Sequence, residues 1–188
     1  MDAAILVDTS AGISALNFQR EKAFVKTLIR SFTISRNLSR VSLLSYGNKT
    51  EVTVNFFDQQ NREFLTRNVD SLPLLGGPSQ INQALEFAAS QLFSPSGSSR
   101  AAVPRTIVVV TDGRQDLTVG SGGLNETIAL LRQNGVKILV VAVGGEDVDE
   151  DGLGSLVEEE DHIFTAESFE TLAAKLEKVS TVASEIAG

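Results

Sequence analysis

An α/β fold is predicted for this chain: a doubly wound, mostly parallel six-stranded sheet with one antiparallel edge strand and helices on both faces. Three observations carry that expectation. Ala3–Val7, Thr106–Thr111 and Lys137–Val143 are apolar runs, the pattern of strands covered on both faces. Between them lie stretches whose apolar residues recur every three or four positions, as in helices with one buried face. Glu51–Phe56 alternates polar and apolar instead, which suits an antiparallel edge strand wetted on one side.

Taken in order, Ala3–Val7 is the first strand. Phe18, Phe24, Val25, Leu28, Ile29 and Phe32 then give a long helix across Asn17–Phe32. Arg40–Tyr46 is the second strand, and Gly47-Asn48-Lys49 turns it into Glu51–Phe56. A short helix over Gln60–Val69 leads to Pro73 and the Gly76-Gly77-Pro78 break. Ile81, Ala84, Leu85, Ala88, Ala89 and Leu92 form the next stripe, closed by the Ser-, Pro- and Gly-rich stretch Ser94–Ser99. After Thr106–Thr111, Leu124, Ile128 and Leu131 mark a helix stopped at Asn134-Gly135. Beyond Lys137–Val143, a short helix is expected over Leu153–Glu158 and a short edge strand over Ile163–Thr165. Ser168 then caps a final helix carrying Phe169, Leu172, Leu176 and Val179. No linker or internal repeat interrupts the pattern, so residues 1–188 read as one domain, excised from something larger.

With 188 residues the chain is long enough for one well-buried core. A net charge of −8 without any Lys/Arg cluster argues against nucleic acid or anionic membrane as partner. No apolar run is long enough to insert in a membrane, and none has the form of a signal peptide. The absence of cysteine removes disulfides, thiolate metal sites and cysteine nucleophiles together. Asn37, Asn48 and Asn125 each begin an Asn-x-Ser/Thr sequon, making them candidate glycosylation sites.

The candidate site begins at Asp8-Thr9-Ser10-Ala11-Gly12, where a carboxylate and a hydroxyl two residues apart stand at the tip of the first strand. Gly76-Gly77-Pro78-Ser79 and Thr111-Asp112-Gly113 supply matching oxygens. In an open α/β sheet, ligands bind at the carboxyl ends of strands where the strand order reverses. If the first and fourth strands are neighbours there, Asp8 and Asp112 converge and Ser79 can join them. Such an all-oxygen set suits a hard divalent cation, Mg²⁺ or Mn²⁺.

These three motifs, in this order and spacing, resemble the von Willebrand factor A domain and its metal-ion-dependent adhesion site. The family pattern is Asp-x-Ser-x-Ser, then Gly-Gly-x-Thr, then Thr-Asp-Gly. The likeness covers essentially the whole chain, including Asn17-Phe18, Arg40-Val41 and Gly135-Val136-Lys137. It implies that Ser10 and Ser79 ligate a metal directly while Asp8 and Asp112 act through bound water. Gly12 stands where the family has a second serine, and Ser79 stands for a threonine. Metal binding is therefore expected to be weak or absent, because Gly12 brings no side-chain oxygen. The resemblance, closest in flavour to matrix and collagen-VI-like members, implies a monomeric, non-catalytic adhesion or matrix-assembly module. Its place would be extracellular, with a matrix protein such as collagen, or sister A domains, as partner.

Other motifs weigh less. Asp147, Asp149, Asp151 and Glu158 satisfy an EF-hand loop pattern around Gly152, but an apolar strand precedes them where a helix belongs. Calcium is not expected there; a solvated acidic loop at a helix N-terminus is. Gly120–Gly123 follows no strand and is no dinucleotide fingerprint. His162 is the only histidine and is read as a structural residue, exposed or half-buried, since no nucleophile motif accompanies it. Two other functions stay open. A Mg²⁺-dependent hydrolase or phosphotransferase would use Asp8 and Asp112, though no second acid two residues after Asp8 and no evident base support it. An intracellular assembly subunit of the same family is the other.

Overall fold

The computed structural model describes residues 1–113, 123–143, 148–159, 162–166 and 181. Its centre is a six-stranded sheet in the order β3-β2-β1-β4-β5-β6. The strands are β1 (Asp2–Asp8), β2 (Arg40–Tyr46), β3 (Thr50–Val54), β4 (Arg105–Thr111), β5 (Val136–Val143) and β6 (Ile163–Ala166). Every pairing is parallel except β2 with β3, so the expected antiparallel edge strand is there. Among the described residues the α-helices are α1 (Ala15–Ser31), α2 (Arg62–Asp70), α3 (Ile81–Phe87), α4 (Leu124–Gln133) and α5 (Glu150–Gly154).

Strand periodicity sorts the core into two layers. Ala3, Ile5 and Val7 face the cluster built with α1 and α2, including Phe24, Val25, Leu28, Leu65 and Val69. Ala4 and Leu6 face the opposite cluster, with Leu85, Ala88, Ile128 and Leu131. This explains why β1, β4 and β5 read as unbroken apolar runs.

Local chemistry moves several boundaries. Helix α1 starts at Ala15, ahead of the expected Asn17, because the Ser14 hydroxyl caps it by accepting from the Asn17 N–H at 3.2 Å. Asn61 likewise caps α2, so Gln60 stays outside the helix; its amide pairs with the backbone N–H and C=O of Val41. β3 stops at Val54 and does not reach Phe56, because the Asp58 carboxylate takes the Asn55 N–H into a turn. Phe56 is thereby turned inward, edge-on to Phe93 with ring centroids 5.7 Å apart. The third helical stripe is one rod in two parts, α3 continuing as a π-helical turn over Ala88–Leu92. α5 spans Glu150–Gly154 and not the expected Leu153–Glu158, since Asp149 accepts from the Gly152 N–H and starts the helix early. The expected final helix after Ser168 lies outside the described residues.

At the amino ends of the parallel strands, Asp2 is fully buried and holds Arg100. Its carboxylate accepts from Arg100 Nε at 3.0 Å, Nη2 at 2.7 Å and the backbone N–H at 2.6 Å. The same guanidinium donates to the carbonyls of Met1, Asn37 and Leu38. This clamp fixes the end of the sheet opposite the candidate site.

Candidate metal centre

The strand order reverses between β1 and β4, which are adjacent, so the ends of these two strands flank the switch point. Asp8, the last residue of β1, is fully buried. Its Oδ1 accepts the Ser10 N–H at 2.9 Å, the local turn to which an Asp at a strand tip is suited. Its Oδ2 accepts from the Ser79 hydroxyl at 2.9 Å and from Thr111 Oγ1 at 3.4 Å. Thr111 Oγ1 in turn accepts the Gly113 N–H, which holds the turn carrying Asp112. One carboxylate therefore gathers all three sequence motifs.

Backbone hydrogen bonds lace the loops together. The Gly76 N–H donates to Thr9 O at 2.8 Å, the Ala11 N–H to Gly77 O at 2.9 Å, and the Asn48 N–H to Gly76 O at 2.9 Å. Gly77 has φ +71°, and a Cβ there would lie 2.5 Å from Asn48 Cβ. Both the left-handed backbone and the close approach need glycine. Gly77→Ala is expected to lower stability by about 2 kcal/mol in urea denaturation; a change within about 0.5 kcal/mol would show that the loop relaxes freely.

A Cβ on Gly12 would lie 3.4 Å from Asp112 Oδ2 and 3.9 Å from Ser10 Oγ, and among the described residues beyond its chain neighbours nothing else comes within 4 Å. Ser10, Asp112 and the missing side chain of residue 12 thus border one small space. The set around it is two carboxylates and the hydroxyls of Ser10 and Ser79. It fits a hard cation in chemistry and is short by one hydroxyl.

The profile of the von Willebrand factor type A domain matches residues 2–179. The chain belongs to this family. Human von Willebrand factor A domain-containing protein 2 is 28% identical over 77% of the chain, mouse Matrilin-4 26% over 92%, and the human Collagen alpha-6(VI) chain 29% over 91%. The chain spans only 18%, 27% and 7% of those relatives. Among solved structures, proximal thread matrix protein 1 from the mussel byssus superposes with a TM-score of 0.83 at 24% identity, covering 97% of this chain and 45% of that one. A second form of it, with a zinc-occupied MIDAS motif, gives 0.84 at 24% identity.

This A domain also carries a buried acidic residue outside the three sequence motifs. Glu21 lies on α1 with 0% exposure, and neither carboxylate oxygen has a hydrogen-bond partner. Burial pushes its carboxyl well above the usual carboxylate range, and the charges of Asp8 and Asp112 push it the same way. The phenol of Tyr46 is also pushed up by burial, then by Asp8 and Glu21. The signal was legible: Phe18, Glu21, Val25 and Leu28 share one helical stripe, so a charged residue stands in a core-facing position.

Of the remaining candidates, Asp149 touches the crest through its backbone, its N–H donating to Gly113 O at 3.1 Å. Asp149 caps α5, and Glu158 lies 3.6 Å from Arg132. Asp147 lies outside the described residues. Among the described residues no three His, Cys, Asp or Glu side chains gather as a metal cluster. His162 is 5% exposed, more deeply buried than expected, beside β6. Asn37, Asn48 and Asn125 are all exposed, as a glycan acceptor must be.

Proposed function

We propose that this A domain is a non-catalytic protein-binding module of cell adhesion or extracellular-matrix assembly. It engages a matrix protein such as a collagen, or a sister A domain, at the crest of the sheet. The observation that carries this reading is the convergence of Asp8, Ser10, Ser79 and Asp112 at the switch point, bounded by loops laced to one another. Family membership and the kinship with matrilin and collagen VI chains support it. So do Leu16 and Leu74, 62% and 49% exposed on the two segments that border the crest, where an apolar contact would strengthen a partner's hold.

Ser10 and Ser79 would hold a divalent ion, with Asp8 and Asp112 orienting water around it. The ion would supply an open position for a partner's carboxylate. Gly12 leaves that ion weakly held, so the crest works with or without it. An extracellular location, glycans at Asn37, Asn48 or Asn125, and a single monomeric domain over residues 1–188 belong to the same proposal.

The test is solid-phase binding of wild type and Asp112→Ala to collagen and to a matrilin-type A domain, in Mg²⁺, Mn²⁺, Zn²⁺ or chelator. Saturable binding to one of them, weakened about tenfold by Asp112→Ala, is expected. Binding to neither, together with Mg²⁺-dependent phosphoester hydrolysis abolished by Asp112→Ala, would make the domain an enzyme instead. Occupied sequons on protein from the natural source would exclude the intracellular reading.

A further inference from the structure

We propose that Asn48 carries an N-linked glycan that gates the crest, rooted in a groove beside α3 and covering the Gly76–Ser79 loop against a partner. The inference rests on the reading of the crest as a binding face and gives that face a regulator. Direct contacts join this sequon to the crest. The Asn48 N–H donates to Gly76 O at 2.9 Å, and Asn48 Cβ and Cα lie 2.5 and 3.3 Å from where a Cβ on Gly77 would stand. Gly76 and Gly77 are bonded in turn to Thr9 O and the Ala11 N–H, so this loop alone separates Asn48 from the first motif. The same segment carries Ser79, bonded to Asp8, and the exposed Leu74. Asn37, by contrast, lies at the other end of the sheet, where its carbonyl accepts from Arg100.

Asn48 is exposed at the tip of the β2–β3 hairpin, in a turn closed by the Gly47 N–H on Lys49 O at 3.0 Å. It borders an open groove of about 460 Å³, completed by Thr50 and by Gln83, Glu86, Phe87 and Ser90 of the rod that α3 begins. Gln83, Glu86 and Ser90 are exposed polar groups and Phe87 is half-buried among them. Polar groups beside one aromatic ring suit an N-acetylglucosamine, which offers hydroxyls at its rim and an apolar ring face. Thr50 supplies an independent observation. Its hydroxyl is buried and has no hydrogen-bond partner among the described residues, so folding gains nothing from it that valine would not give. As the third residue of Asn48-Lys49-Thr50, that hydroxyl has its use before β3 forms, when the sequon is read in the extended chain. In the transfer, the Asn48 side-chain nitrogen attacks C1 of an oligosaccharide carried on a lipid diphosphate. The N–C1 bond forms and the C1–O bond breaks. The lipid diphosphate leaves with the bonding pair, and the amide yields one proton to a base of the transferring enzyme. A branched glycan is bulky and hydrated. Rooted in the groove, it spreads over adjacent Gly77 and occupies space that a partner at the crest needs.

The experiment expresses the chain behind a secretion leader in animal cells, as wild type, Asn48→Gln, Thr50→Val, Thr50→Ser and Asn37→Gln. Glycopeptide mass spectrometry reads occupancy, and solid-phase assays read binding to collagen and to a matrilin-type A domain. Asn48 is expected to be occupied in wild type and Thr50→Ser, and empty in Asn48→Gln and Thr50→Val. The two proteins empty at Asn48 should bind about tenfold more tightly than occupied wild type, because the obstruction is gone. Trimming wild type to its innermost N-acetylglucosamine should recover most of that gain, since the seated root leaves the crest open. Asn37→Gln should bind like wild type. Thr50→Val separates the glycan from the loop, because it leaves Asn48 and its contact with Gly77 in place. A gain in Asn48→Gln that Thr50→Val does not share would assign the effect to the side chain and overturn the proposal. So would an unmodified Asn48, or equal binding by occupied and empty proteins, and in these cases the crest stands as the binding face. If no form binds either probe, the crest reading itself fails and the gate falls with it.

Discussion

Arg100→Ala should lower the stability of this domain by about 3 kcal/mol, a large share of the 5–15 kcal/mol typical of a folded domain. The loss follows from what Arg100 touches. Asp2 is 0% exposed and accepts three hydrogen bonds from this one residue. The truncated chain keeps the backbone N–H but loses the guanidinium, leaving a buried carboxylate with its charge uncompensated. It also unties the carbonyls of Met1, Asn37 and Leu38, which bring the first strand and the loop before β2 together. Arg100 retains 21% side-chain exposure, so the loss belongs at the low end of the range for a buried pair. Arg100→Lys should recover only part of it, because one ammonium cannot span the carboxylate and three carbonyls as the planar fork does. Asp2→Ala alone should cost a similar amount, and the double variant less than the sum of the two. Urea unfolding of the four variants against wild type decides: a loss below about 1 kcal/mol for Arg100→Ala would mean that water replaces the clamp.

The strands of the parallel core were legible because burial on both faces leaves a pattern that few alternatives share. Ala3–Val7 had no polar residue to break it, and its register beside β4 follows from the same alternation that splits Ile5 from Leu6 between the two layers. The crest motifs were legible for a related reason: Asp8, Ser79 and Asp112 sit at element ends, where side-chain chemistry decides the turn. What the sequence hid was long-range. Nothing local announces that Asp2 and Arg100 meet across 98 positions. Phe56 sits in a pattern that suits strand, yet the Asp58 turn takes it out of β3 and into the core with Phe93. The early start of α5 was decided by Asp149: an acidic loop at this helix N-terminus was legible, but not which of its acids caps the helix.

Glu21 and Gly12 belong to a different class, since each breaks a local rule. A charge in a helix's core stripe is inconsistent with the helix as a packing element. A glycine in place of a hydroxyl is inconsistent with the loop as a metal seat.

Gly12→Ser should raise the affinity for Mg²⁺ and Mn²⁺ by between about ten- and a hundredfold. The substitution is sterically open: Gly12 is exposed, and its φ does not lie in the left-handed region that would strain a serine. Its Cβ would make ordinary contacts with Asp112 Oδ2 at 3.4 Å and Ser10 Oγ at 3.9 Å. A hydroxyl one bond further on therefore enters the space that Ser10 and Asp112 already border. The gain has two sources that a single variant cannot separate. Replacing glycine narrows the unfolded ensemble and adds up to about 1 kcal/mol of stability without any metal. Only the oxygen adds a ligand. Gly12→Ala supplies the same Cβ without the hydroxyl, so it should match serine in chelator and fall back to wild-type affinity in Mn²⁺ calorimetry. Equal metal affinities for the serine and alanine proteins would show that residue 12 tunes the loop's rigidity and contributes no ligand. Tight binding by the wild type, unchanged by serine, would mean that water already fills the position.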